Sequence, residues 1–370
     1  MTRRVSLVIL SLLMCFAVAA PALAQPFTFP RLEQQGLGSA PPPNVTAASW
    51  LLYDASLGVV LASHNPSEVR APASITKIMT VLLALELGDP DDQVTITSRA
   101  AATGEREIGV WAGETVTLGA LVRAAMIHSA NDAATAIAEH IGGTVEDFVN
   151  MMNSRAWELG MTKTTFVNPH GLDVNGHVTT AEDMLKLGIA AMEREDFREI
   201  SRGRVVVFPN APDGGRRIGT ASNLLLGAFE GTTGIKTGFT NRARLTFVAS
   251  AEREGRELYA VILGAEGQRA HFSDARALFS FGFDDLRAYG VIAGQPFQPS
   301  LLAADPIPTV TAGSLESLMH LAGEGLLDIE TPEEPPEPIV VIETVRRQSD
   351  PAPTGFWGAL GYWVRTALGS

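Results

Sequence analysis

The sequence predicts an α/β layer interrupted by a helical insertion, and three observations carry that prediction. Strand-like segments stand at both ends of the region 45–285, helical segments lie between them, and the helix that follows Ser74 is apolar on nearly all sides. Strands separated by a block of helices meet in one sheet with helices packed over it. The chain has 370 residues, 46% of them hydrophobic. That is enough for a catalytic unit of about 250 residues plus something smaller.

The elements follow in order. Ala47 to Tyr53 and Val59 to Ala62 flank the turn Asp54-Ala55-Ser56-Leu57-Gly58, a β-hairpin pattern. Ser74 opens a helix whose Ile75, Ile78, Met79, Val81, Leu82, Leu83, Leu85 and Leu87 point all round, so it is buried rather than amphipathic. Gly88 and Pro90 end it. Leu118, Leu121, Val122, Ala125 and Met126 recur at helical spacing in a second helix. A third carries Ala133, Ile137 and Ile141 on one stripe and stops at Gly142-Gly143, with Ser129-Ala130-Asn131 in the joint before it. Leu245 to Ala251 and Leu258 to Gly264 flank Glu252-Arg253-Glu254-Gly255 as a second hairpin, with Gly234 to Phe239 as its sheet neighbour. His271 to Phe283 reads as a last helix. Beyond residue 286 the character changes: prolines and short apolar runs over 295–312, a Glu/Pro-rich stretch over 330–338, and Val340 to Val345 as one strand.

The N-terminal end reads as an export signal over residues 1–24. Arg3 and Arg4 precede an apolar run from Val5 to Ala20, and Ala22-x-Ala24 suits a signal peptidase, leaving Gln25 as the mature start. The competing reading is a membrane anchor, for which the run is short. The single cysteine, Cys15, lies inside this signal after Met14, where a lipoprotein signal carries a small residue. The mature chain then has neither disulfides nor a thiol nucleophile. Removing Arg3 and Arg4 takes the net charge from −13 to −15. Such a balance argues against a nucleic-acid binder and against a polybasic membrane patch. Residues 25–44, rich in proline and small side chains, form a lead-in.

Three strings carry the chemistry: Ser74-Ile75-Thr76-Lys77, Ser129-Ala130-Asn131 and Lys236-Thr237-Gly238. Each alone has a plainer reading, respectively a helix start, a helix cap and a strand-end turn. Together they describe an acyl-serine site. A serine hydroxyl is a poor nucleophile until a base takes its proton. Positions i and i+3 of a helix share a face, which sets the Lys77 amine beside Ser74. Burial near another cation, Lys236, disfavours the ammonium form and frees Lys77 to act as base. Ser74 at a helix start has an uncommitted backbone N–H for an oxyanion, worth about 3 kcal/mol per donor. Ser-x-x-Lys, Ser-Asp-Asn and Lys-Thr-Gly form the signature of β-lactamases and penicillin-binding proteins. Here the middle string is Ser-Ala-Asn.

The sequence resembles the D-alanyl-D-alanine carboxypeptidases, low-molecular-mass penicillin-binding proteins that are serine peptidases of the Ser-x-x-Lys type. The likeness runs from 45 to 285 and includes Ala71-Pro72-Ala73-Ser74-Ile75-Thr76-Lys77-Ile78-Met79-Thr80, Ser129-Ala130-Asn131-Asp132-Ala133-Ala134, Met152-Asn153 with Leu159-Gly160-Met161, His170-Gly171-Leu172-Asp173 and Gly234-Ile235-Lys236-Thr237-Gly238-Phe239-Thr240. It implies a β-lactamase/transpeptidase-like fold, α/β plus all-α: an antiparallel sheet flanked by helices, with a helical subdomain. It implies that residues 45–285 are a D,D-carboxypeptidase domain and 286–345 a reduced β-rich C-terminal domain. It implies that Ser74 is acylated by the penultimate D-Ala carbonyl of a peptidoglycan stem pentapeptide, and by β-lactams. Lys77 would be the base and Ser129 would relay a proton to the leaving amine. Asn131 would hold the substrate amide and position Lys77. Lys236 and Thr237 would bind the terminal carboxylate, Gly238 would let the substrate backbone approach, and the Phe239 N–H would be the second oxyanion donor. No cofactor and no metal are called for.

Three departures stand out. Ala243 is followed by Arg244 where the resembled family carries Ala-Gly, so strand packing or the substrate mouth is expected to change. The interval from Ser74 to Ser129 is short, and the C-terminal domain is reduced. Residues 346–370 read as a linker and an amphipathic helix. Phe356, Trp357, Leu360, Trp363, Val364, Ala367 and Leu368 form a stripe that is too short to span but suited to the outer surface of the inner membrane. Docking on protein is the competing reading.

Other functions fit part of this pattern. A serine β-lactamase shares the motifs but needs a carboxylate to activate water, and no Glu-x-x-Leu-Asn string lies between the second and third motifs. A D,D-endopeptidase on cross-linked peptidoglycan would use the same site and stays open, as does a catalytically silent penicillin-binding protein blocked by Arg244. The cluster His170, Asp173 and His177 is expected to rim the cleft rather than hold zinc.

Overall fold

The structure, a computed structural model, describes residues 29–31 and 43–285. The export signal, most of the lead-in, the β-rich region 286–345 and the C-terminal helix lie outside the described residues.

The sheet is assembled from both ends of this region. Its strands are β1 (Ser49–Asp54), β2 (Val59–His64), β7 (Thr232–Thr240), β8 (Arg244–Arg253) and β9 (Arg256–Ala265), all antiparallel, in the order β2-β1-β9-β8-β7. The expected first hairpin is present. In the second, the turn shrinks from four residues to two, because Glu254 and Gly255 both take positive φ (52° and 74°), which suits the right-handed strand twist. β7 is an edge strand, so one side of its backbone faces the helices instead of another strand.

Alternation along the strands divides the interior into two cores. Leu51, Tyr53, Val248, Val261 and Leu263 face the helical insertion, while Trp50, Leu52, Phe247, Ala249 and Ile262 face the last helix. α1 (Lys77–Leu87) runs through the first core, buried from Lys77 to Ala84, as an all-round apolar helix must be. Around it lie α2 (Ser98–Ala101), α3 (Leu118–Arg123), α4 (Asn131–Gly142), α5 (Val145–Glu158), α6 (Ala181–Met192) and α7 (Glu195–Ser201). Thr97, Thr117, Thr144 and Thr180 cap α2, α3, α5 and α6 through their side chains. Two small ribbons had no counterpart in the sequence reading: β3 (Gln93–Thr95) with β4 (Thr115–Thr117), and β5 (Val205–Phe208) with β6 (Arg217–Thr220). α8 (Ala270–Ser280) covers the second core and passes into a π-turn over Phe281–Asp285, close to the expected last helix.

One expectation needs correction. Ser74 does not open an α-helix; it lies in a 3-10 turn over Ala73–Thr76, and α1 begins at Lys77. Ala73 enters that turn with φ 53°, and the Thr246 hydroxyl holds the Pro72 carbonyl at 2.9 Å. The chain is thus turned sharply onto the sheet before the helix starts.

The hairpin turn of β1 and β2 rests on a buried ion pair. Asp54 is fully buried, accepts from the backbone of Ser56 and Leu57, and receives Arg256 Nε at 2.6 Å. Removing one partner leaves a buried charge uncompensated. Arg256→Met is therefore expected to cost about 3 kcal/mol of stability, read as a lower denaturant midpoint with an unchanged slope. A midpoint equal to that of the unaltered protein would contradict this role.

Candidate active site

The site is organised around one buried amine. Lys77 is fully buried, and its Nζ reaches Ser74 Oγ at 3.2 Å, Asn131 Oδ1 at 2.7 Å and the His170 carbonyl at 2.6 Å. A neutral amine has two N–H groups and one lone pair. The two shorter contacts use the donors, which leaves the lone pair for the serine hydroxyl. Desolvation brings the Lys77 pKa down to about 7, and the guanidinium of Arg106 adds to the fall, while Asp132 and Glu105 oppose it. Lys236, expected from the sequence as the neighbouring cation, does repel Lys77, and Arg106 is a second cation beside them that carries no signal in the sequence.

The second string is set by the chain just before α4. Ser129, at φ 69°, is the C-cap of a π-turn over Ala124–His128 and not the N-cap of α4, a position that Ala130 holds. Asn131 is fixed from two sides: its N–H donates to the Arg106 carbonyl at 2.6 Å and its Nδ2 to the Gly104 carbonyl at 2.9 Å. Asp132, fully buried, accepts from the N–H groups of Ile108, Gly109 and Val110. These bonds tie the loop 104–110 to the start of α4 and bring Arg106 within electrostatic reach of Lys77.

The third string lies on the edge strand. Lys236 is buried, and its Nζ donates to the Thr237 carbonyl at 3.0 Å and approaches Ser222 Oγ at 3.5 Å. The Thr237 hydroxyl donates to Ser222 Oγ at 2.7 Å. Burial, then Lys77 and Arg106, push the Lys236 pKa well below its ordinary value. Ser222 was not singled out in the sequence. It follows the β5–β6 hairpin, which is clamped to the insertion by a two-pronged Arg217–Glu114 pair at 2.7 and 2.9 Å.

Gly238 is needed by the protein's own packing. A Cβ there would meet Thr246 Oγ1 at 2.5 Å, the Ser74 backbone N at 2.8 Å and Ala73 Cβ at 3.0 Å. The missing side chain lets the Ser74 turn lie directly against β7. Phe239 follows with its ring exposed.

The loop after α5 clasps the other side of that turn. His177 is buried, not on the rim. Its Nδ1 accepts from the Val167 N–H, so Nε2 carries the proton and donates to the Thr76 hydroxyl at 2.8 Å, which donates to the Ala73 carbonyl. Desolvation lowers the His177 pKa to about 4 and that of His170 to about 3, so both rings are neutral. Asp173 accepts from the Thr240 hydroxyl at 2.7 Å and the Arg242 N–H at 3.1 Å, joining the loop to the end of β7. With their polar atoms engaged this way, His177 and Asp173 do not converge. Among the described residues no three His, Cys, Asp or Glu side chains are grouped to hold a metal ion.

Arg244 begins β8 at φ 61° and pairs with Thr240 in register on the β7 side, while a bulge between Leu245 and Thr246 shifts the pairing with β9. Its exposed guanidinium turns to Glu266 at 3.6 Å.

A sheet with an edge strand bearing Lys-Thr-Gly, packed on a Ser-x-x-Lys turn and a Ser-x-Asn joint, defines an acyl-serine class of site. The chain belongs to the D-alanyl-D-alanine carboxypeptidase family of peptidases (S11), whose family model matches residues 37–267. It is 35% identical over 255 residues to D-alanyl-D-alanine carboxypeptidase DacC of Escherichia coli, covering 65% of this chain and 62% of that protein. It is 34% identical to DacB2 of Mycobacterium tuberculosis, covering 68% and 87%. The chain thus spans under two thirds of the length of the Escherichia coli relative. Among solved structures it is similar to a D-alanyl-D-alanine carboxypeptidase from Mycobacterium tuberculosis (TM-score 0.63, 33% identity, 66% of this chain and 94% of that one). It is also similar to the Streptomyces K15 DD-transpeptidase (TM-score 0.63, 26% identity, 66% and 99%).

Gly171 offers a direct check on the clasp. It has φ 91°, and a Cβ there would lie 2.0 Å from the Ala73 carbonyl oxygen. Gly176, in the same loop at φ 84°, has only Val167 Cγ2 nearby, at 3.9 Å. Gly176→Ala is expected to cost about 1 kcal/mol from backbone strain alone, and Gly171→Ala roughly 2–4 kcal/mol. Thermal melts separate the two; equal melting temperatures would deny the close packing.

Proposed function

We propose that the chain is a serine-type D-Ala-D-Ala carboxypeptidase, which removes the terminal D-Ala from peptidoglycan stem pentapeptides and is acylated by β-lactams. The observation that carries the reading is the buried Lys77 amine, poised near neutrality with Ser74 Oγ as its third neighbour. In this reading Lys77 takes the Ser74 proton as Oγ attacks the penultimate D-Ala carbonyl. The N–H groups of Ser74 and Phe239 stabilise the oxyanion. Lys236 and Thr237, with Ser222, receive the terminal carboxylate. Asn131 keeps Lys77 in place and takes the substrate amide. Ser129 passes a proton to the leaving amine, D-Ala departs, and water hydrolyses the ester to regenerate Ser74.

The test is incubation with purified muropeptides ending in D-Ala-D-Ala, with product masses read out. The expected product is lighter by one D-Ala residue. Cleavage confined to cross-linked dimers would instead indicate a D,D-endopeptidase, and no product the silent binding protein. A fluorescent penicillin is expected to label the wild type and not Ser74→Ala. Lys77 acts as base only when neutral, so the labelling rate should rise with pH through about 7 and then level off. A rate flat from pH 5 to 9 would remove Lys77 from this role.

The reading includes place as well as chemistry. Residues 1–24 direct export, 45–285 form the catalytic domain and 286–345 a reduced β-rich domain. The stripe over 356–368 then holds the enzyme to the outer face of the inner membrane. Among the described residues no helix is long and apolar enough to cross a membrane. Deleting 355–370 is expected to move the protein from the membrane fraction to the soluble periplasm. Unchanged fractionation would argue against the anchor.

A further inference from the structure

The order of groups along β7 gives the bound substrate a direction. On the proposed function, the terminal carboxylate lies at Lys236 and Thr237, and the reacting carbonyl lies at Gly238, where the Ser74 backbone touches the strand. The part of the stem peptide before D-Ala-D-Ala must then continue past Phe239. A strand advances about 3.4 Å per residue, so the residue next to the acylated D-Ala lies near 239–240.

At that place the surface opens into a cleft of about 400 Å³, floored by Phe239 and Leu245 and lined by Arg244, Glu266, Gln268 and Arg269. Two guanidiniums face one carboxylate there, in a chain whose net charge is −13. Glu266 holds Arg244 only loosely. The separation is 3.6 Å and both side chains are more than half exposed, so the pair contributes little and is easily exchanged. A guanidinium is a fork suited to a carboxylate, and the exposed Phe239 ring offers an apolar wall for the aliphatic stem that would carry it.

We infer that this cleft is a subsite for a carboxylate borne by the stem peptide on the acyl-donor side of the scissile bond, with Arg244 as its main contact and Glu266 as the group displaced. The inference rests on the proposed carboxypeptidase reading. Two positions in a stem peptide can supply such a group: the side chain of a dicarboxylic diamino acid next to D-Ala, or the α-carboxylate of a γ-linked glutamate one residue further on.

The test uses acyl-lysyl-D-Ala-D-Ala as the carboxylate-free substrate, together with two matched pairs. One pair has diaminopimelate with its side-chain carboxylate free or amidated. The other has γ-glutamyl-lysine with its α-carboxylate free or amidated. The readout is the ratio of kcat/KM for D-Ala release within each pair. The wild type is expected to favour the free acid by about two- to fivefold in one pair, and that pair identifies the source. Arg244→Gln should bring the ratio to near one, Arg244→Lys should keep part of it, and Glu266→Gln, which removes the competitor, should raise it. Ratios that do not change in Arg244→Gln and Glu266→Gln, with D-Ala still released, would overturn the subsite alone. Failure to release D-Ala from any substrate, the carboxylate-free one included, would overturn the carboxypeptidase reading and the subsite with it.

Discussion

The site depends on keeping one lysine amine out of water and neutral. Lys77 sits fully buried on the first turn of a largely apolar helix, so an ammonium ion there is poorly solvated. Moving its pKa from 10.5 to about 7 corresponds to roughly 5 kcal/mol of bias toward the amine. Desolvation supplies most of that bias and Arg106 adds to it. The amine is then fully used: one proton to Asn131, one to the His170 carbonyl, the lone pair toward Ser74. Each partner comes from a different segment, so the insertion, the loop after α5 and the 3-10 turn must all be in register at once.

That requirement explains why so much polar wiring surrounds the turn. Thr246 holds the Pro72 carbonyl, Thr76 and His177 hold the Ala73 carbonyl, and Gly171 and Gly238 remove the side chains that would stand in the way. Thr80 adds a bond to the Pro169 carbonyl at 2.6 Å. The two histidines of the clasp are neutral well below physiological pH, so they do not act as the usual switch near pH 6–7. A charged ring at His170 would also repel the ammonium form of Lys77. The clasp is therefore insensitive to pH across the range in which Lys77 titrates.

Much of this could be read in the sequence, and what could not has physical reasons. The all-round apolar helix, both sheet hairpins and the meeting of the three strings follow from periodicity, turn residues and spacing. The 3-10 turn was hidden because a serine at a helix start looks the same whether the first turn is wide or tight; Ala73 at positive φ is imposed by the packing around it. Arg106 and Ser222 carry no local signal. They become neighbours of the lysines only through the Asp132 bonds to loop 104–110 and the hairpin that leads to Ser222. The β5–β6 hairpin alternates in burial, with Val206 and Phe208 inside and Val205, Val207 and Ile218 exposed, but the string Val205-Val206-Val207-Phe208 is apolar throughout and shows no alternation. The approach of the Ser74 turn to Gly238 carries no signal either, because a glycine beside a motif gives no hint of which backbone lies against it.

Arg244 brings out a division of labour along β7. Toward the carboxylate end the strand's charged and polar groups are buried and mutually bonded, and substituting any of them disturbs Lys77 directly or through Lys236. Past Phe239 the Thr240 side chain is still buried against Asp173, whereas Arg242 and Arg244 are exposed, and pairing with β7 holds even with an arginine in a left-handed backbone conformation, a placement that costs about 1 kcal/mol. The sequence reading expected this residue to alter strand packing or the substrate mouth. Pairing with β7 is kept, and the exposed side chain stands at the surface beside Phe239. Variation at the exposed Arg244 is inexpensive because it touches none of the bonds that hold the amine, so substrate preference can change there while the chemistry stays fixed.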